Sequence, residues 1–70
     1  AQEMGDRRIE SQILRNLGNA YYAMGYYEES IHCGHLRLEV ARILQDHRCE
    51  EQALGSIGVA YDALGDYVQA

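Results

Sequence analysis

Apolar residues in the first third of the chain recur three and four places apart. Leu14, Leu17, Gly18, Tyr21 and Met24 keep this spacing, which lays them along one stripe of an α-helix. Ahead of the stripe Asp6 is a good N-cap. Behind it Gly25 is placed to end the helix, because the residue after a helix terminus commonly takes positive φ and glycine does so with no Cβ to clash. The pattern predicts a first helix over about residues 7–24. Tyr27, Ile31, Gly34, Leu38, Ala41 and Leu44 form a second stripe, which predicts a helix over about residues 26–44. Asp46 then repeats the role of Asp6 and Gly65 that of Gly25, so a third helix and the start of a fourth are expected.

These echoes extend beyond the caps. Laid over residues 41–70, residues 1–30 are identical at twelve of thirty positions, where unrelated sequences would share roughly two, and a fixed period of this size marks a stacked repeat. Leu14 pairs with Leu54, Gly18 with Gly58, Ala20 with Ala60, Tyr21 with Tyr61, Gly25 with Gly65 and Tyr27 with Tyr67. On this register residues 1–5 are the tail of a preceding second helix, residues 6–45 a complete repeat, and residues 46–70 a partial second one. The chain reads as cut from a longer array, with apolar surface bare at both ends, since such units bury their cores against neighbours and usually need about three for stability. Gly18 and Gly58 sit in mid-helix at a cost of about 1 kcal/mol relative to alanine, so each is expected to let a partner helix approach closely.

Composition narrows the class. The 70 residues include no proline and neither phenylalanine nor tryptophan, and few β-branched residues fall in any run, which favours helix over strand. Eleven acidic residues against six arginines, with no lysine, give a formal charge of −5; nucleic acid is therefore not an expected partner. The longest stretch without charged or strongly polar side chains, Ala20–Tyr27, is far short of the roughly 20 residues a bilayer crossing needs, and no signal-peptide pattern is present. A cytoplasmic protein with no membrane contact is the expectation. Cys33 and Cys49 belong to no CxxC pair, so they are read as packed thiols in a reducing compartment.

Leu17 and Gly18, Tyr21, Met24 and Gly25, and Tyr27, with Ile57 and Gly58, Tyr61, Leu64 and Gly65, and Tyr67 in the second copy, resemble the signature of the tetratricopeptide repeat. That family carries a Leu-Gly pair, an aromatic three residues later, Leu-Gly at the turn and an aromatic in the next helix. The period here is 40 residues against the usual 34, similar to the longer subclass of Pins-type spindle-orientation adaptors and of long bacterial arrays. Leu17-Gly18-Asn19 and Gly5-Asp6-Arg7 are similar to elements of that subclass. The resemblance implies an all-α fold of antiparallel helical hairpins stacked as a right-handed solenoid. Two departures are Ser30, where the family has a small alanine, and Gly34, where it has a larger side chain. Without that anchor the hairpin is expected to be locally loose.

The resemblance also implies a function, a scaffold or adaptor whose first helices line a concave groove that receives a linear peptide of a partner protein. Carried over by position, the peptide-binding face is Gln12, Arg15, Asn16, Asn19 and Tyr22, with Ala23, in one unit. In the other it is Gln52, Ser56, Val59 and Asp62, with Gly55 and Ala63. These residue types suit peptide capture, since side-chain amides both donate to and accept from a peptide backbone, an arginine holds a carboxylate in a forked pair, and tyrosine is a stiff amphipathic contact. Arg15 with Asn19 is similar to part of the element by which some family members clamp a C-terminal carboxylate, but Gly55 and Val59 stand at those places in the second unit, so a full clamp is not expected. His32 and His35 lie one helical turn apart with no further ligands at suitable spacing, so no metal is expected, nor any other cofactor. Glu28 with Glu29 and Glu50 with Glu51 fall at helix starts, where negative charge complements the macrodipole. No nucleophile, base and orienting residue recur together, and no catalytic residues are expected. The alternative to peptide capture is structural self-association, a homo-oligomer built by stacking the exposed ends around Leu54, Ile57 and Tyr61.

Overall fold

A computed structural model describes the backbone of residues 2–69 and the side chains of residues 5–66; Ala1, Ala70 and the side chain of Tyr67 lie outside the described residues. The described chain is all helix: α1 over Gln2–Ala23, α2 over Tyr27–Leu44 and α3 over His47–Gln69. Helix α2 packs against both α1 and α3. Pairings such as Gly34 with Ile57, Arg37 with Gln52 and Arg42 with Glu50 show that α3 returns antiparallel to α2. The result is one layer of three helices, 47 × 19 × 13 Å.

Both turns use the same hydrogen bonding. At the end of α1 the Tyr26 N–H donates to the Tyr21 carbonyl at 2.8 Å and the Gly25 N–H to that of Tyr22 at 3.0 Å. This is the Schellman pattern, with Gly25 in the left-handed region at φ +84° as its sequence position predicts. Twenty residues on, the Asp46 N–H donates to Ala41 at 2.9 Å and the Gln45 N–H to Arg42 at 3.1 Å. Here the left-handed residue is Gln45, at φ 56°, a conformation that disfavours any residue with a Cβ. Asp46 closes one helix and opens the next, its Oδ1 accepting from the Cys49 N–H at 3.1 Å as an N-cap.

The copies of these signals behave differently. Asp6 does not begin a helix, because α1 runs unbroken from Gln2. No proline interrupts the stretch, and Gly5 with nothing packed within 4 Å of its Cβ position is tolerated inside it. Gly65 likewise does not end α3, which continues to Gln69 with no positive φ at the glycine, so the expected fourth helix is the continuation of α3. Glycine permits a left-handed residue without requiring one; the chain after Gly25 turns back to pack on α1, whereas the described residues after Gly65 do not.

Burial concentrates on α2. Of its expected stripe Ile31, Gly34, Leu38 and Ala41 are buried and the end members Tyr27 and Leu44 half-buried, and Cys33, Arg37 and Val40 are buried on its other side, since a central helix is covered from both flanks. Ile31 and Leu38 form the core with Ala53, Ile57 and Ala60 of α3, and Leu64 packs against it. On α1 the expected stripe is only partly covered, with Leu17 42 % and Met24 58 % exposed. Gly18 does admit its neighbour: the Cys33 Cβ would lie 3.3 Å from an added Cβ, and the Ser30 hydroxyl donates to the Gly18 carbonyl at 3.0 Å. Its copy Gly58 faces open space instead. At Gly34, where a larger side chain is missing, Ile57 of α3 fills the room, its Cγ1 2.5 Å from where a Cβ would sit.

A candidate peptide-binding cleft

On one face of the layer α1 and α3 stand as two walls with α2 as the floor between them. Ser11 Oγ and Cys49 Sγ hydrogen-bond at 3.3 Å, and Arg8 meets Asp46 at 3.8 Å, so the walls touch at one end. Beyond that lies a hollow of about 540 Å³ lined by Arg15, Asn19 and Tyr22 of α1, Ser30 and Arg37 of α2, and Gln52, Gly55, Ser56 and Val59 of α3. A smaller hollow of about 210 Å³ continues it past Gln12, Ser11 and Arg8 on one side and Cys49 and Arg48 on the other. The two share Arg15, Arg37 and Gln52, so they are one cleft.

Six of the nine residues expected to bind peptide line the main hollow: Arg15, Asn19, Tyr22, Gln52, Ser56 and Val59. Gln12 lines the smaller one. Asn16 and Asp62 line neither. Asn16 is turned about 100° around α1 from Arg15, and Asp62 lies nearly one helical turn beyond Val59. Tyr22 is held edge-on against Tyr27, ring centres 5.4 Å apart, which fixes an exposed aromatic at the rim.

The floor was not legible as part of the site. Arg37 is 7 % exposed. Its Nη2 donates to Gln52 Oε1 at 2.8 Å, while its Nε, also buried, has no hydrogen-bond partner. A guanidinium inside a protein is costly unless an anion and a full set of acceptors surround it, and here a neutral amide provides the one acceptor described. The available signal was positional: Arg37 lies three residues after Gly34 and four before Ala41, on the buried side of α2 and apart from its exposed His32, His35 and Glu39.

The cleft's charge is opposite to the chain's. Four of the six arginines, Arg8, Arg15, Arg37 and Arg48, line it. Asp46 is the one carboxylate among the lining residues, at the far end and already engaged by Arg8 and the Cys49 N–H. The acids of the described surface lie elsewhere, for example Glu28 and Glu29 in the first turn of α2 and Glu50 in that of α3.

The remaining chemistry candidates stay apart. Cys33 is buried, and burial pushes its thiol above the ordinary value of 9.0. His32 and His35 are exposed on either side of it. Among the described residues no three His, Cys, Asp or Glu side chains converge as metal ligands, and no helix is long and apolar enough to cross a membrane. Compared with known proteins, the chain matches no family model, no curated protein and no solved structure.

Proposed function

We propose that the chain is a protein-interaction module, a scaffold or adaptor unit that holds a linear peptide of a partner protein in the cleft between α1 and α3. In this reading the three helices are part of a right-handed tetratricopeptide solenoid, and the binding role is not enzymatic. The supporting observation is the register of the walls. Arg8 and Arg48, Gln12 and Gln52, Arg15 and Gly55, and Asn19 and Val59 are the same positions of the 40-residue period, and all eight line the cleft. A repeat that aims matching positions of successive units at one trough forms a track for an extended chain. From Arg8 to Tyr22 the wall runs about 21 Å at 1.5 Å per residue, the reach of about six residues of extended peptide.

The test is selection of binders from a library of random dodecapeptides, followed by affinity measurement for the enriched sequences on Asn19→Ala and Tyr22→Ala. Both side chains are exposed, so helicity by circular dichroism should match the parent. Affinity should fall by roughly tenfold or more at Tyr22, as for a rim aromatic within a hot spot. Equal affinity for both variants and the parent would remove the peptide from this cleft.

A second reading has its own observation. Leu14 and Tyr21 of α1 are half-buried, and α2 reaches Gly18 between them through Cys33. Their copies on α3, Leu54 and Tyr61, are 51 % and 53 % exposed around a bare Gly58. That face is bare where its counterpart on α1 is covered, and a second copy of the chain stacked on it is what gives the homo-oligomer reading its surface. Ile57 is not part of it, being 8 % exposed and seated on Gly34.

A further inference from the structure

Arg37 is the buried group that the arrangement within the chain leaves least satisfied. It lies beneath both hollows of the cleft, 7 % exposed, with no ion pair among the described residues and an orphaned Nε. The Nε–H and one Nη2–H of a guanidinium point along the same edge, spaced to match the two oxygens of a carboxylate. In Arg37 the single Oε1 of Gln52 satisfies Nη2 and Nε is left bare. We propose that Arg37 anchors an acidic ligand: an aspartate or glutamate side chain of an extended peptide in the cleft displaces the Gln52 amide and takes both donors of that edge. This rests on the peptide-binding reading above and specifies its ligand.

Three further observations favour a carboxylate there. Gln52 is itself exposed, so its amide can swing into water and exchange one hydrogen bond for another at little cost. Arg15 lines the same hollow and has no ion pair among the described residues, so an incoming carboxylate meets a second cation. No carboxylate lines the main hollow, whereas the chain as a whole carries −5. An acidic segment is therefore repelled by the rest of the surface and admitted at this trough, which is selectivity by charge pattern. A peptide side chain fits better than a phosphate backbone, because the net charge opposes a polyanion over any longer contact.

The experiment uses random dodecapeptides displayed through their C-termini, so that no free terminal carboxylate is present, selected in parallel on the parent and on Arg37→Met. The variant should fold, since a buried charge replaced by an apolar side chain of similar length is commonly tolerated, and circular dichroism checks it. Parent-selected sequences should share an Asp or Glu at a fixed position that the variant's selections lack. In a synthetic, acetylated and amidated peptide, Glu→Gln or Asp→Asn at that position should weaken binding roughly 10- to 100-fold. Arg37→Met should do the same without adding to the peptide change. The peptide substitution needs no protein variant, so the result stands even if Arg37→Met unfolds. Enriched peptides with no common acidic position would overturn the Arg37 assignment and leave the cleft reading intact. No enrichment over blank support would overturn both. Binding only by peptides with a free C-terminus, or displacement by a dodecamer of deoxythymidine, would reassign the edge to a terminal carboxylate or to phosphate and overturn the side-chain anchor.

Discussion

A methyl group added at Gly34 would lie 2.5 Å from Cγ1 and 3.3 Å from Cδ1 of Ile57. Cγ1 is close to the backbone of a residue itself buried in the core, so it cannot swing aside as a side-chain tip could. Alanine in mid-helix gains about 1 kcal/mol over glycine, but forcing a methyl into a filled site typically costs about 1–3 kcal/mol, occasionally more. The clash should win: Gly34→Ala is expected to lower stability by about 1 kcal/mol, a fall in Tm of about 4–8 °C for a domain of this size. In an Ile57→Ala background, where Cγ1 is gone, Gly34→Ala should become neutral or stabilising. Additive losses in that double-mutant cycle would show that Ile57 is not the obstacle. The sequence placed Gly34 correctly on the buried stripe of α2. It did not reveal that a side chain from the next helix occupies the missing volume, since that is a contact between positions 23 residues apart.

At the scale of elements, two glycines of the same repeat position have different roles. Gly25 is the left-handed residue of the α1–α2 turn, whereas Gly65 lies within α3. Alanine at position 25 must take a left-handed conformation and should cost roughly 1–2 kcal/mol; alanine at position 65, with nothing within 4 Å of its Cβ, should stabilise by up to about 1 kcal/mol. Thermal unfolding of the two variants checks the contrast, and a shift of the same sign in both would contradict the assigned helix boundaries. The cap at Asp46 was legible because its chemistry is local: a carboxylate, a short turn and an amide three residues on. The boundaries at Asp6 and Gly65 were not, because N-cap and stop residues work only where the neighbouring chain leaves the helix, and these stretches stay helical. Gln45 went unnoticed as a left-handed residue for the converse reason: the turn between α2 and α3 imposes that conformation on a side chain that does not favour it.

A single layer of three helices has no second layer to cover its flanks, and among the described residues no large side chain is completely buried. Ile9, Ile13, Leu17, Leu54 and Tyr61 remain between 42 % and 58 % exposed, apolar surface that marks contact sites when it is contiguous. If copies stack on the Leu54–Gly58–Tyr61 face, the weight-average mass by sedimentation should rise with concentration, and Leu54→Glu with Tyr61→Glu should hold the chain monomeric with its helicity intact. A mass that stays monomeric at every concentration would sink the stacking reading. Neither substitution touches the cleft lining, so peptide capture is separable from assembly.

The sequence alone determined the all-helical class, the turn at Gly25 and the cap at Asp46. Those features follow from spacing and local chemistry, which a repeated helical pattern writes directly into the order of residues. Tertiary structure alone decided that Ile57 seats on Gly34, that the copy of a covered face lies bare, and that an acidic chain gathers four arginines around one trough. It also decided that Arg37, one of several charged residues of α2, becomes a buried guanidinium with no anion beside it among the described residues. Burial and electrostatic pairing depend on which helices meet, and that is a property of three elements together, not of any one of them.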